Sequence, residues 1–162
     1  MKNTTFIALL LVGAALLSCS KDAKNKLKSL DLMPQGVPIS IMAPDSAEVK
    51  VSDLVVQKDV TIQKGEHFYV QIFMSDATAA NAKALKAEQL EQVKTMPYFS
   101  KIIREDDGGF LYENKIDSTN LSYGFRHVRM QGDKEFIFQT GLIGNFSKED
   151  AEAMYQAVQP KK

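Results

Sequence analysis

The chain has little of what most reaction chemistry needs: one cysteine, two histidines, and 20 basic residues cancelled by 20 acidic ones. Balanced charge argues against nucleic acid, whose recognition needs a concentrated basic face. Neither His67 nor His127 has a second histidine or a carboxylate at ligand spacing, and no HExxH occurs, so no metal site is expected. Gly141-Leu142-Ile143-Gly144 lacks the lysine and hydroxyl residue of a phosphate loop. Asp106-Asp107-Gly108-Gly109 lacks the closing glutamate of a calcium loop and reads as a turn. Ser147 has no base beside it in sequence. No catalytic residue, metal or cofactor is therefore expected. Long hydrophobic runs are also missing, with one exception at the start of the chain.

That exception is Phe6 to Leu17, uncharged and preceded by Lys2. It is too short for the roughly 20 apolar residues of a spanning helix and suits the core of a signal peptide, which is about 7–15 residues. Leu16-Leu17-Ser18-Cys19 then resembles the lipobox of bacterial lipoproteins, with an aliphatic residue three places before the cysteine and a small one directly before it. The resemblance implies cleavage between Ser18 and Cys19, a diacylglycerol thioether on the Cys19 sulfur and acylation of the new amino group, palmitate being a typical chain. A thiolate alkylates readily where a serine hydroxyl does not. Two or three acyl chains, at about 0.8 kcal/mol per buried methylene, anchor a protein almost permanently. With Cys19 modified no thiol remains for a disulfide, so stability must come from packing.

The mature chain, Cys19 to Lys162, has 162 − 18 = 144 residues, which suits one domain, and a net charge of 19 − 20 = −1 once Lys2 is removed. Ser20 to Ser29 is polar and lysine-rich and reads as a tether, whose lysines can attract anionic headgroups. Ser20-Lys21-Asp22 resembles the short charged signals that send some lipoproteins to the cell surface, although Ala23 interrupts the acidic run.

From Gly36 the pattern is β. Ile39 and Ile41 alternate within a proline-bracketed strand, Val37 to Pro44. Glu48 to Val51, Leu54 to Val56 and Asp59 to Gln63 continue it, and Lys64-Gly65 turns the chain. In Glu66 to Met74, Phe68, Val70, Ile72 and Met74 take the core face. Ser75-Asp76-Ala77-Thr78 offers caps for a helix to about Thr95, with Ala79, Ala82, Leu85, Leu90, Val93 and Met96 in a sector of about 140°. Pro97 ends it. A hairpin turns at Asp107-Gly108, and a second joins Leu121 to Met130 with Lys134 to Leu142. There Tyr123, Phe125, His127 and Arg129 share one face, as do Phe136, Phe138 and Thr140. Ser147 and Asp150 form a capping box for a last helix, in which Ala151, Met154, Tyr155 and Val158 make a buried stripe.

This order predicts an α+β fold: an antiparallel sheet of about six to seven strands packed with one long central helix and a C-terminal helix. Residues 1–18 are the signal peptide, 19–35 the acylated start and tether, and 36–162 the single domain. The layout resembles the PsbP-like fold, particularly the DcrB-like envelope lipoproteins, through Ile39-Ser40-Ile41-Met42-Ala43-Pro44, Phe136-Ile137-Phe138-Gln139-Thr140-Gly141 and the helix from Ser147 to Val158. The resemblance implies a noncatalytic binding or accessory role.

The expected protein is thus a lipid-anchored monomer of the bacterial cell envelope, at the outer membrane on its periplasmic face or the cell surface. Its expected contacts are the membrane, through the anchor, and an envelope protein partner. Arg129, His127 and Tyr123, beside Tyr112 and Phe125, are the candidate ligand-binding residues of an aromatic-rimmed anion pocket, the plainer reading of the same residues being an aromatic core with solvated arginines. Arg126 points to the opposite face by strand alternation, which splits the cationic cluster. The alternatives are a hydrolase-like envelope enzyme, needing His67 or His127 beside carboxylates such as Glu113 or Asp117, and a purely structural surface lipoprotein.

Overall fold

A computed structural model describes residues 27–160. The signal segment, Cys19 and the tether through Lys26 lie outside the described residues. The elements are β1 (Leu27–Asp31), a 3-10 turn (Met33–Gln35), β2 (Ser40–Pro44), β3 (Glu48–Leu54), β4 (Gln57–Lys64) and β5 (Phe68–Asp76), then α1 (Ala82–Lys94). They continue with β6 (Phe99–Asp106), β7 (Gly109–Lys115), β8 (Leu121–Gln131), β9 (Lys134–Thr140) and α2 (Lys148–Val158). Seven strands form one antiparallel sheet in the order β3-β4-β5-β9-β8-β7-β6, and β1 pairs with β2 in a separate ribbon. The fold is therefore α+β, with a sheet of the expected size.

Strand alternation decides which layer each side chain joins. On one face, Val60 and Ile62 of β4 stand opposite Ile72 and Val70 of β5, and Ile72 stands opposite Phe138 of β9. Phe125 and Leu111 extend this apolar face into β8 and β7. α2 and the β1–β2 ribbon cover it with Met154, Tyr155, Val158, Ile39, Ile41 and Ala43, all buried. Each fully buried Phe or Ile adds roughly 1.5–3 kcal/mol over leaving it in water. At the start of α2 the Ser147 hydroxyl accepts from the Asp150 N–H and the Asp150 carboxylate accepts from the Ser147 N–H, closing the expected capping box. The Tyr155 hydroxyl donates to Asp106 Oδ1 at 2.6 Å and ties α2 to β6.

The opposite face is covered by α1 over β6, β7 and β8, where Val93 packs on Phe110 and Tyr112, with Leu90 and Met96 at the edge. α1 is not the expected long central helix. It has 13 residues and begins at Asn81, whose side chain accepts from the Ala84 N–H. Ser75 and Asp76, expected as caps, stay in β5 because β9 pairs with that strand as far as Asp76 and Lys134. The Glu135 carboxylate then holds the next segment, accepting from the N–H groups of Thr78 at 3.0 Å and Ala79 at 3.3 Å.

The folded body also reaches further back than the expected boundary at residue 36. Leu27 and Leu30 are half-buried against the core, and Leu32 is fully buried. β1 runs antiparallel to β2 from Leu27 opposite Pro44 to Asp31 opposite Ser40. Lys28, expected in the tether, pairs with Asp45 at 2.7 Å. Of Leu54-Val55-Val56, only Leu54 belongs to a strand, as the last residue of β3. Val55 and Val56 make the β3–β4 turn, fully exposed and 82% exposed respectively.

These pairings define two ends of the sheet. One carries the β3–β4 and β8–β9 turns. At the other, Leu27 meets Pro44, Lys64 Nζ donates to Ser46 O at 3.2 Å, and the β4–β5 turn lies beside Ile143, Gly144 and Asn145. The chain therefore enters the body at the end that also carries the loop between β9 and α2, where Leu142 and Ile143 are 73% and 82% exposed.

Candidate functional site

Tyr123, His127 and Arg129 do share one face of β8, and each is engaged in packing or pairing there. His127 is buried beneath α2, with its ring centroid 5.4 Å from that of Phe138 and 6.0 Å from that of Tyr155. Burial and the neighbouring Arg129 charge push its pKa down to about 4, so the imidazole is neutral over most of the physiological range. Arg129 lies over the Phe138 ring at 5.3 Å and donates to Val158 O at 3.0 Å, where α2 ends. A cation there satisfies a terminal carbonyl and meets the negative end of the helix dipole. The Tyr123 hydroxyl donates to Glu113 Oε2 at 3.3 Å. Burial and that carboxylate raise the Tyr123 pKa.

The residues a hydrolase would need are engaged separately. Glu113 accepts from Ser100 and Tyr123, and Asp117 accepts from the N–H groups of Thr119 and Asn120 in its own turn. Among the described residues no hydrogen bond or ion pair joins either histidine to Glu113 or Asp117. His67 Nδ1 meets Asp150 Oδ2 at 3.1 Å, and this partner raises its pKa, but the ring is 79% exposed. Ser147 Oγ is occupied as an acceptor in the capping box and makes no hydrogen bond to His67. No group of three or more His, Cys, Asp or Glu side chains among the described residues could hold a metal ion.

The arginine on the other face has a different environment. Arg126 is 8% exposed and stands opposite Phe110 on β7 and Gln139 on β9. Gln139 Nε2 donates to Gln71 Oε1 at 3.0 Å, and Gln71 Nε2 donates to Asp59 Oδ2 at 2.8 Å. A polar row thus crosses four adjacent strands from Asp59 to Arg126. At about 4.8 Å per strand, Asp59 is roughly 14 Å from Arg126 across the sheet, too far for an ion pair. Among the described residues the Arg126 guanidinium has no carboxylate partner, and its buried Nε has no hydrogen-bond acceptor. Burial lowers its pKa, and the nearby Tyr112 oxygen opposes that effect.

Arg126 lines a cavity of about 110 Å³ with Gln139, Tyr112, Asn114, Ser122 and Met96, closed on one side by the loop from Gly141 to Phe146. Among the described residues no other charged side chain lines it. Asn114 Oδ1 is also buried without a partner. Two close approaches shape this region. A Cβ on Gly124 would lie 2.5 Å from the Tyr112 ring, and one on Gly141 would lie 2.4 Å from the Tyr69 ring. Only glycine lets these aromatic rings lie flat on the strands.

No family model matches this chain, and no curated protein or solved structure matches it. The chemistry of the site thus rests on its own residues. A buried cation without a partner, beside an unpartnered acceptor, can bind and orient a small polar molecule. Sequence alternation separates Arg126 from Arg129 correctly. The signal for this site is a set of polar residues, Gln71, Arg126 and Gln139, at buried positions of three adjacent strands.

Proposed function

We propose that the protein is a lipid-anchored, noncatalytic binding module of the bacterial cell envelope, held at the membrane through Cys19 and offering the Arg126 cavity to a ligand. The observation that carries the binding reading is the buried, unpaired guanidinium. Such a group is costly to fold unless something outside the chain completes it. The lipobox-like Leu16-Leu17-Ser18-Cys19 supports the anchor. Leu27, where the described body begins, lies 27 − 19 = 8 residues after Cys19, a span of at most ~28 Å. The exposed Leu142 and Ile143 are at that same end, so the anchor holds an apolar loop towards the bilayer.

The test is intact mass of membrane-extracted protein beside a Cys19→Ser variant, with neighbours recovered by crosslinking in the same cells. A chain beginning at Cys19 and carrying acyl groups, absent from the variant, is the expected result. An unmodified, freely soluble wild-type chain would refute the anchor, and the role would then be that of a diffusible envelope or secreted protein.

A further inference from the structure

We infer that the Arg126 cavity is a site for a small, singly charged carboxylate that also carries a neutral hydrogen-bond donor, such as a hydroxy acid. This inference rests on the reading of the domain as a binding module and names the ligand class of that same site. Three properties of the cavity carry it. First, Arg126 is more than nine-tenths buried, and its Nε has no acceptor among the described residues. A planar guanidinium with free N–H groups matches a carboxylate in a two-point contact. Second, among the described residues Arg126 is the only charged side chain lining the cavity. One cation neutralises a carboxylate, whereas a phosphate dianion would leave a net negative charge buried. Third, Asn114 Oδ1 is a buried acceptor without a donor, so a ligand that is only an acceptor leaves it unsatisfied. A hydroxyl on the ligand would supply that donor without adding charge.

Size agrees with this assignment. A volume of about 110 Å³ suits a molecule of a few heavy atoms. The lining is mixed: Tyr112, Ser122 and Gln139 are polar, while Met96, Leu142 and Phe146 are apolar. A short apolar substituent on the acid therefore has somewhere to sit.

The experiment is ¹⁵N NMR of the full-length, membrane-extracted protein in detergent, following the Arg126 Nε–H resonance during titration with lactate, propionate and inorganic phosphate. Lactate is expected to move the resonance saturably. Propionate should bind about fivefold more weakly for lack of one neutral hydrogen bond. Phosphate should bind more weakly than either. In Arg126→Met, lactate affinity should fall about ten- to hundredfold, the value of a charge-assisted hydrogen bond. Asn114→Leu should bring lactate and propionate to equal affinity. The wild-type titration decides the matter even if a variant fails to fold. No saturable shift with either acid, or a preference for phosphate, would overturn the inference. Equal binding of lactate and propionate to the wild type would remove the role of Asn114. Lactate binding by a chain whose mass shows no acyl group would sink the anchor and leave the site intact.

Discussion

His127 makes the stability of this fold depend on pH in a direction that can be worked out. Its ring is enclosed by Phe138 and Tyr155, with Arg129 on its own strand, Asp106 on β6 and Arg104 lying 5.2 Å from the Tyr155 ring centroid. Its pKa falls from the ordinary 6.5 to about 4 in the folded chain. Above 6.5 neither state binds the proton and no penalty applies. Below 6.5 the unfolded chain gains a proton that the folded chain refuses until about pH 4, so stability declines through that window. The full effect is about 3 kcal/mol, of which about 2 kcal/mol should be lost between about pH 7 and pH 5. The exposed His67–Asp150 pair acts with the opposite sign. Its raised pKa contributes stability that is present below 6.5 and lost as pH rises through the folded value. Both arms should therefore carry His67→Gln. Urea unfolding at the two pH values, with and without His127→Phe, isolates the buried ring. Phe fits the same aromatic site and leaves no orphan where Nδ1 is unpartnered. The parent should lose about 2 kcal/mol more than the His127→Phe protein. Equal losses, within about 0.5 kcal/mol, would refute the reasoning.

Two further substitutions test how the cavity region and the start of α1 are built. Gly124→Ala places a methyl group 2.5 Å from the Tyr112 ring, which is 4% exposed and must shift towards the cavity to make room. Thermal unfolding should show a loss of about 1–3 kcal/mol, and an unchanged midpoint would mean that Tyr112 moves freely. Glu135→Ala removes the acceptor for the N–H groups of Thr78 and Ala79 and for the hydroxyls of Ser75 and Thr78. A cost of about 1.5–3 kcal/mol is expected for these bonds to a charged group. Hydrogen exchange should accelerate at Thr78 and Ala79 while the β8–β9 hairpin keeps its protection.

What the sequence reveals about this fold depends on how locally each element is encoded. α2 is complete within twelve residues: Ser147 and Asp150 close the box, and Ala151, Met154, Tyr155 and Val158 make the buried stripe. The β8–β9 hairpin is equally legible, because alternation of Tyr123, Phe125, His127 and Arg129 fixes its register against Phe138 and Phe136. β1 is not legible. Leu27 and Leu30 are thinly spread among polar residues, and their reason for folding is β2, where they stand opposite Pro44 and Ile41. The start of α1 fails for a related reason. Ser75 and Asp76 have the chemistry of caps, but pairing with β9 and the contact of Lys134 with Asp76 keep them in β5. Local propensity there yields to a partner that the sequence does not bring near.

The two arginines of β8 show why the candidate site was only half readable. They are three positions apart on opposite faces, and each loses water on folding: burial lowers the pKa of both. For Arg129 the chain supplies an answer, since Val158 O and the Phe138 ring receive the guanidinium at the end of a helix that has no basic residue in its last turn. Its role is complete within the protein. For Arg126 the neighbouring Gln139 amide already donates to Gln71, and the nearest carboxylate along that row, Asp59, is three strands away. Periodicity can say that the two side chains part company, but it cannot say which one finds a partner, because that depends on strand order. A half-buried cation satisfied from within, as Arg129 is, holds a fold together. One left unsatisfied beside a small cavity is the group that the proposed ligand would complete.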